Sequence, residues 1–479
     1  MNLAKTKYLK CAILIISICI LLGAISACLP FSISLPDMLD EDAIDDAAMT
    51  ITPNEIDGLG EFEDSYCYVY TNKDLVEKYR AGDADTPFDV STQKVTKTSN
   101  NRGEKANPYV ISSVTDWETF VKLCGTDLKK STGKYFVLAN DLDFYGITFR
   151  PVGKFGGTFY GMGHKLLNID CSNWQYWNGS NYVTIGTSGQ TNSGFGVFCS
   201  TTNATITDLI NEDYNYSGVP QTSTNGVGSA AYGPHIGGFV GISIGNNTFL
   251  NCHTSGVVTT TYYTTSVQEG GIVGAHKAID TNKTIYVYRC TSNFSTFASA
   301  GASSGLMIGG ILGQSWSATT ILDCASEVYG SNSGSGGYQY IGAIFGWSET
   351  TVEKFWFENL VGKVDVDSTV LTTSTGALAG IRGTTNLKFA NLYGEGYLGT
   401  SAKISLLALV HFETQPTTGF SNINVVKSSK NYASLLPNRS DTLGKITGEP
   451  TEYSTSNEML GNARTFFSAS PYSRIWDAS

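Results

Sequence analysis

The residues with the clearest potential for ligand chemistry are tryptophans and tyrosines that stand beside amide side chains. The segment 173–178 reads Asn-Trp-Gln-Tyr-Trp-Asn, and a tyrosine follows it at position 182. Flat aromatic faces beside amides can bind a sugar ring by stacking and hydrogen bonding, and they also suit the anchor positions of a protein interface. An alternative is that these rings only cover the edges of the fold. The candidate ligand-binding residues are Trp174, Tyr176, Trp177, Tyr182, Trp316 and Trp347.

Paired carboxylates are the second candidate chemistry, because glycoside hydrolysis uses two carboxyl groups and calcium binds carboxylate oxygens. Asp141 and Asp143 alternate along one predicted strand, and so do Asp365 and Asp367, so each pair should face one side. No motif of the polygalacturonase or pectate lyase type accompanies them. The five histidines are scattered, and His164 lies in a predicted turn. We therefore interpret these acids as solvated strand residues and expect no enzymatic activity.

A glycine-framed apolar motif sets the positions of these side chains. It recurs at residues 237–241, 270–274, 309–313, 342–346 and 376–380, in steps of 33, 39, 33 and 34 residues. Such a period indicates one supersecondary unit stacked many times, because a single unit cannot bury its own apolar face. Two or three apolar residues between glycines, followed by Ser, Thr and Asn, predict short strands joined by turns.

A second motif, one polar residue followed by one apolar residue, recurs about a dozen residues after each glycine motif. One turn-forming residue followed by one buried residue in every repeat predicts the stacked coils of a parallel β-helix. Asn and Asp suit the turn because they tolerate left-handed backbone and can form side-chain ladders. The polar members are Asn168, Asp208, Asn251, Arg289, Asp323, Asn359, Asn391 and Asn422.

Three of the ten cysteines, Cys252, Cys290 and Cys324, are the apolar members of successive pairs. We expect them to form an inward column of buried thiols. Their Cα atoms would lie within disulfide range, but parallel Cβ vectors are poorly oriented for a bond. No C-x-x-C or H-E-x-x-H spacing is present, so the sequence predicts no metal and no cofactor.

The glycine motif resembles the GLUG repeat of bacterial surface proteins. Four upstream segments are similar to the opening coils of secreted right-handed β-helix proteins, and the residues from 466 to 477 are similar to their usual ending. The resemblance covers residues 107–479 and implies an all-β fold, a right-handed parallel β-helix (solenoid) with short capping helices at its ends. It says little about activity, because GLUG repeats accompany adhesins, lipoproteins and some metallopeptidases, and the zinc motif of the peptidases is missing. The upstream segments are 107–111, 115–118, 135–143 and 155–164.

The N-terminus has the pattern of a targeting segment, since three lysines precede the apolar residues 11–24. Small residues directly before Cys28 resemble a bacterial lipobox, which implies a signal peptide over residues 1–27 and a lipid on Cys28. An ordinary signal peptide cut after Ala27 and a retained anchor are the alternatives. All three place the body of the protein outside the cytosol.

The charge balance argues against a nucleic-acid partner, which would require clustered Lys and Arg. The formal net charge is −11, and removal of residues 1–27, with three lysines and no acid, takes it to −14. Acidic residues crowd positions 37–46, which predicts a solvated, self-repelling tether. An acidic helix or a calcium-binding stretch is the alternative for this segment.

Two short helices are predicted at the ends of the repeats. Thr115 and Glu118 form a capping box for the first helix, with Thr115 as N-cap, and residues 456–463 have the composition of the second. The predicted domains are a lipoprotein-type signal peptide (1–27), an acidic tether (28–60), a small N-terminal element (61–106), the β-helix with GLUG-like repeats (107–430) and a C-terminal capping segment (431–479).

The sequence favours a surface protein outside the cytosol, anchored to the membrane by a lipid, that binds or adheres through a rigid face. Its expected partner is a glycan or a surface protein. The alternative from another class is a polysaccharide lyase or glycoside hydrolase of the pectin-lyase-like fold, and a third is a passive spacer without a specific ligand.

Overall fold

The described part of the chain lies between residues 103 and 467 of a computed structural model. The chain has two units, Met1–Thr52 and Pro53–Ser479, and all described residues belong to the second unit. The predicted signal peptide, Cys28, the tether and nearly all of the element 61–106 lie outside the described residues. The described residues are 103, 108–185, 194–219, 234–263, 266–277, 283–300, 305–334, 339–348, 354–368, 373–382, 386–398, 404–410, 420–426, 451–454 and 456–467.

Short strands make up most of the described chain. The helices are α1 (Val114–Cys124), a 3-10 turn (Leu128–Lys130) and α2 (Ser456–Phe467). The first strands are β1 (Tyr109–Ile111), β2 (Tyr135–Leu138), β3 (Leu142–Asp143), β4 (Val152–Phe155), β5 (Thr158–Tyr160), β6 (Lys165–Leu167), β7 (Asp170–Cys171), β8 (Gln175–Trp177), β9 (Tyr182–Thr184), β10 (Gly194–Phe195), β11 (Phe198–Thr202), β12 (Thr205–Thr207), β13 (Ile210–Tyr216), β14 (His235–Gly237), β15 (Val240–Ile244) and β16 (Asn247–Leu250). The remaining strands are β17 (His253–Tyr263), β18 (Val267–Gly270), β19 (Val273–Lys277), β20 (Thr284–Tyr288), β21 (Thr291–Ala300), β22 (Leu306–Gly309), β23 (Leu312–Ser315), β24 (Ala318–Gly334), β25 (Gln339–Gly342), β26 (Phe345–Ser348), β27 (Lys354–Ser368), β28 (Thr373–Arg382), β29 (Asn386–Leu398), β30 (Ile404–Val410), β31 (Phe420–Val426) and β32 (Thr451–Tyr453).

Two large sheets, of 17 and 13 strands, contain all of these strands except the hairpin β8–β9. Neighbouring strands pair in parallel, and the glycine motifs stand in register, so that Gly237 pairs with Gly270 and Gly270 with Gly309. One repeat of the sequence therefore adds strands to both sheets at equivalent positions. The prediction of an all-β fold built from parallel strands is confirmed.

The glycine motifs mark places where the two sheets approach each other closely. A Cβ at Gly271 would lie 1.8 Å from Oγ of Ser292, which belongs to the other sheet, and 2.1 Å from the carbonyl oxygen of Gly310. A Cβ at Gly310 would lie 1.8 Å from both Oγ of Ser326 and the carbonyl oxygen of Ala343. Glycine is required here because no side chain fits between the strands.

The recurring polar residue forms the ladder that its spacing predicted. Asn168, Asp208, Asn251, Arg289, Asp323, Asn359 and Asn391 all adopt left-handed backbone, with φ between 51° and 55°. The Asn251 amide donates to the Asp208 carboxylate at 2.7 Å, and the Asn359 amide donates to the Asp323 carboxylate at 2.7 Å. Asn391 continues the ladder by donating to Oδ1 of Asn359 at 2.8 Å. The Asn and Asp residues joined by these bonds thus serve the turn through their backbone and the stack through their side chains.

Replacing Asn359 with alanine is expected to lower the free energy of unfolding by roughly 2–4 kcal/mol, because it removes two ladder hydrogen bonds and strains a left-handed residue. Asn359→Gly loses the same bonds without that strain, so we expect it to be about 1 kcal/mol less destabilised than Asn359→Ala. The midpoint of urea denaturation measures both effects. Equal midpoints for wild type and Asn359→Ala would contradict a structural role for the ladder.

The three repeated cysteines lie in a buried column, as predicted. Cys252, Cys290 and Cys324 are fully buried and are free thiols. The backbone N–H of Cys290 donates to Sγ of Cys324 at 3.4 Å, so neighbouring members are in contact. Burial raises the pKa of the Cys252 and Cys290 thiols well above the ordinary value, which keeps them protonated.

Helix α1 begins earlier than the sequence analysis predicted. Its N-cap is Ser113, whose hydroxyl accepts from the backbone N–H of Asp116 at 3.1 Å, so the assignment of Thr115 as N-cap is wrong. Ser113 has the extended backbone that an N-cap requires, whereas Thr115 already lies within the helix. Glu118 is consequently free of any capping role. The helix buries Trp117, Phe120, Val121 and Cys124.

Helix α2 forms where the sequence predicted a second helix. Met459, Ala463 and Phe467 are buried and pack in one cluster with Tyr393 of β29. The helix therefore covers part of the first sheet. No helix within the described ranges has the length and apolar content needed to cross a membrane.

Candidate functional site

A two-stranded hairpin, β8–β9, places Trp177 directly opposite Tyr182. The hairpin forms because Oδ1 of Asn178 accepts from the backbone N–H groups of Ser180 (2.9 Å) and Asn181 (2.8 Å). Gly179 supplies the positive φ, 104°, that this turn requires. The polar residues of the segment therefore build the turn, and the turn brings two aromatic rings together.

Strand alternation divides the aromatic residues of this segment between two sides. Trp174 is only 1% exposed, its Nε1 donates to the carbonyl oxygen of Ser217 at 2.8 Å, and its ring packs on Phe195 and Tyr216. Tyr176 is also buried. The structure therefore assigns Trp174 and Tyr176 to the core rather than to a ligand surface, because their ring faces are already covered.

Trp177 and Tyr182 are half-buried and form, with three residues from elsewhere in the chain, a cluster that we call the hairpin patch: Glu118, Lys122, Arg150, Trp177 and Tyr182. The two rings are 5.2 Å apart at an angle of 68°. Nζ of Lys122 lies 5.7 Å from the Trp177 ring, and Cζ of Arg150 lies 5.0 Å from the Tyr182 ring. Both distances are within the range of cation–π interactions.

The hairpin patch contains one carboxylate and two cations. Nζ of Lys122 is 2.7 Å from Oε1 of Glu118, and the Tyr182 hydroxyl donates to the same oxygen at 3.3 Å. The hydrogen bond from Lys122 is the main cause that lowers the pKa of Glu118. Burial first, and then the nearby Glu118, raise the pKa of Tyr182 to about 12. At neutral pH the patch therefore carries a phenol, a carboxylate and two cations, and its local charge is positive.

The side chains of the hairpin patch are suited to binding a ligand. Aromatic rings, an ion pair and a guanidinium provide stacking surfaces and hydrogen-bond groups, which together bind sugars or peptides. Among the residues that the structure describes, no group of three or more His, Cys, Asp or Glu is arranged to hold a metal ion.

The other two predicted tryptophans lie away from the hairpin, Trp347 in the 13-stranded sheet and Trp316 in the bend between β23 and β24. Trp347, in β26, is 5% exposed and stacks on Tyr340 at 5.0 Å, and both rings cluster with Met307. Trp347 is thus a packing residue in this structure. Trp316 follows β23 and stays half-buried, with Nζ of Lys277 lying 5.0 Å from its ring. No ring contact between described residues joins either tryptophan to the hairpin patch.

The paired carboxylates of the first repeats serve the turns. Asp141 is hydrogen-bonded to Nδ1 of His164 at 2.9 Å. Asp143 accepts from the Asn168 amide and the Tyr145 backbone, both at 2.9 Å, and the Asn168 bond is the main cause that lowers its pKa. These contacts tie neighbouring turns together.

Glu118, Lys122 and Arg150 were not predicted as site residues. The one local signal was the four-residue spacing of Glu118 and Lys122, which places them on one face of α1. Nothing in the sequence connects Arg150 to the hairpin, since their contact arises only when α1 and β4 pack beside β8.

Comparison with known proteins provides no family. No protein-family model and no curated protein matches the chain, so the GLUG resemblance stays a prediction. One solved structure is similar, that of a Bacteroides ovatus protein described as a candidate immunoglobulin A1 protease. It shares 18% sequence identity with a TM-score of 0.45, over 80% of this chain and 91% of that chain. A similarity this low assigns neither fold nor activity.

Proposed function

We propose that this protein is a glycan-binding surface protein whose repeats wind as a right-handed parallel β-helix and whose ligand site is the hairpin patch. A lipid on Cys28 would hold it at the membrane outside the cytosol, as the lipobox resemblance implies. The geometry that carries the proposal is the pair Trp177 and Tyr182, held opposite each other within reach of Lys122, Glu118 and Arg150.

The β-helix is supported by the register of the two sheets. Successive repeats pair in parallel at equivalent residues in both sheets, so the chain moves from one sheet to the other and back within each repeat. Parallel strands in one sheet are joined almost always by right-handed connections. Winding in this way would give the repeats a rigid scaffold on which α1 and the hairpin are held.

Glycan binding is supported by the rigidity and composition of the hairpin patch. A sugar ring stacks on an aromatic face through its C–H groups and needs hydrogen-bond donors and acceptors at its rim. Trp177 and Tyr182 supply the rings, and Lys122, Glu118 and Arg150 supply charged groups beside them. Because each side chain already contacts another, little side-chain entropy is lost when a ligand binds.

The test uses the purified full chain on native gels cast with individual polysaccharides. We expect retarded migration in at least one polymer, and we expect Trp177→Ala to weaken binding about tenfold, corresponding to about 1.4 kcal/mol of stacking. Tyr145→Ala is the matched control, because Tyr145 is an aromatic residue outside the patch that is 82% exposed.

Three outcomes would contradict parts of the proposal. Equal retardation of wild type and Trp177→Ala would move the site away from the hairpin patch. Loss of polymer stain around the band would favour the lyase or hydrolase alternative. The absence of retardation in every polymer would favour a protein ligand or a passive spacer.

A further inference from the structure

We infer, resting on the proposed function of the hairpin patch, that its ligand is a sugar unit carrying a carboxylate and that Arg150 recognises this charge. The observations that carry the inference are the position of Arg150 on the Tyr182 ring, the pairing of the patch's other charges and the contrast between local and net charge.

Arg150 is held in place by its backbone while most of its side-chain donors stay available. Its carbonyl oxygen accepts from Nε1 of Trp117 at 3.0 Å, and its guanidinium lies 5.0 Å from the Tyr182 ring. Within the described residues, its one side-chain hydrogen bond is a long contact of 3.4 Å from Nη1 to the carbonyl oxygen of Phe149. A guanidinium has five N–H donors, so a two-point face remains for a carboxylate.

The remaining charges of the hairpin patch are already paired with each other. Lys122 forms an ion pair with Glu118 at 2.7 Å, and Tyr182 donates to the same carboxylate. No carboxylate of the described residues lies within 4.0 Å of Arg150 to form a salt bridge. Glu118 also interacts electrostatically with Arg150, so the five residues together carry a net charge of one positive unit, located beside the aromatic rings.

The positive charge of the hairpin patch contrasts with the negative net charge of the chain. The chain carries a formal net charge of −11, so its average field repels anionic ligands. A neutral sugar gains little from an unpaired guanidinium, whereas a sugar carboxylate gains a bidentate, charge-assisted hydrogen bond. The arrangement fits a uronic or sialic acid type of unit, with its ring at Trp177 and its carboxylate at Arg150.

The experiment compares carboxylate polymers with their own methyl esters. Polygalacturonate, hyaluronan and polysialic acid are the probes, and binding of the purified full chain is measured by affinity electrophoresis and calorimetry at two salt concentrations. We expect at least one acidic polymer to bind ten times or more tighter than its ester, with the difference shrinking at high salt.

Variants of Arg150 separate charge recognition from packing. Arg150→Gln is expected to remove the preference for the acid over the ester. Arg150→Lys is expected to keep part of that preference, because lysine retains the charge but lacks the planar pair of N–H donors that binds both carboxylate oxygens. Lys130→Gln, an exposed lysine on the 3-10 turn, makes the same change in net charge and should leave the preference intact. Unchanged near-ultraviolet circular dichroism shows that each variant is folded.

The outcomes distinguish this inference from the proposed function. Equal binding of acid and ester, lost in Trp177→Ala, would overturn the inference and leave the glycan site standing. An acid preference that survives in Arg150→Gln would overturn the role of Arg150. Failure of these acidic polymers to bind, while a neutral polysaccharide still retards the protein on native gels, would overturn the inference alone. Failure of every polymer in both experiments would overturn both.

Discussion

Replacing Gly310 with alanine is expected to abolish folding or to lower the free energy of unfolding by more than about 4 kcal/mol. A Cβ there would lie 1.8 Å from the carbonyl oxygen of Ala343, and Cβ atoms essentially never approach another heavy atom within 3.0 Å. The backbone N–H of Gly310 donates to the carbonyl oxygen of Gly342 at 3.2 Å. Moving that backbone apart would break the pairing of two neighbouring repeats.

The measurement is the midpoint of thermal and urea denaturation, or the soluble yield where the variant does not fold. Gly461→Ala is the matched control, because no heavy atom lies within 4 Å of a Cβ at this helical position. It should leave stability unchanged or raise it by up to about 1 kcal/mol. Combining Gly310→Ala with Ser326→Gly removes the side-chain overlap and keeps the backbone overlap, so the double variant should stay destabilised. A wild-type midpoint for Gly310→Ala would show that the sheets are not this close.

Replacing Glu269 with glutamine is expected to raise the free energy of unfolding at pH 8 by up to about 3 kcal/mol and to change it little at pH 4. Glu269 is fully buried, and its carboxyl oxygens receive hydrogen bonds from Thr260 (2.8 Å) and Thr296 (2.5 Å). Burial outweighs these bonds and raises its pKa from 4.5 to about 7. Glutamine keeps the shape and the hydrogen-bonding capacity without the charge.

The folded state favours the protonated form of the Glu269 carboxyl, and this determines the direction of the pH effect on stability. The unfolded carboxyl ionises near pH 4.5 and the folded one near pH 7, so wild type loses stability as pH rises between these values. Buried Asp208, with its pKa raised to about 6, contributes in the same direction and persists in the variant. Glu327→Gln, an exposed acid on β24, is the control. Parallel pH profiles for wild type and Glu269→Gln between pH 4 and pH 8 would contradict this role.

The repeat was predictable because equivalent residues align when parallel strands pair. A fixed spacing along the chain then determines which side chains stack, without any knowledge of the rest of the fold. The Asn and Asp ladder and the cysteine column followed from spacing alone, whereas the close approach of the sheets at the glycine motifs was seen only in the structure. Arg289 shows the limit of this reasoning, since it takes the left-handed position of the ladder without the Asn or Asp side chain.

Local ambiguity explains the wrong N-cap and the burial of two of the candidate aromatic residues. Ser113 and Thr115 are both of a residue type that caps helices, but Ser113 has the extended backbone of an N-cap and Thr115 lies within the helix. The tryptophan-rich segment alternates between two sides, but its composition does not say which side is buried. Trp174 and Tyr176 face the core, so fewer aromatic rings of this segment are exposed than the sequence analysis predicted.

The sequence by itself determined the strand-rich repeat, its register and the residues that stack within it, because these depend on periodicity and on local backbone preference. Only the tertiary structure decided the candidate site. Glu118, Lys122 and Arg150 are separated along the chain from the hairpin. They meet Trp177 and Tyr182 only because α1, with Glu118 and Lys122, and the segment that leads into β4, with Arg150, pack beside the hairpin β8–β9. No periodic spacing encodes that contact, since it depends on how non-repeating elements pack against the repeats.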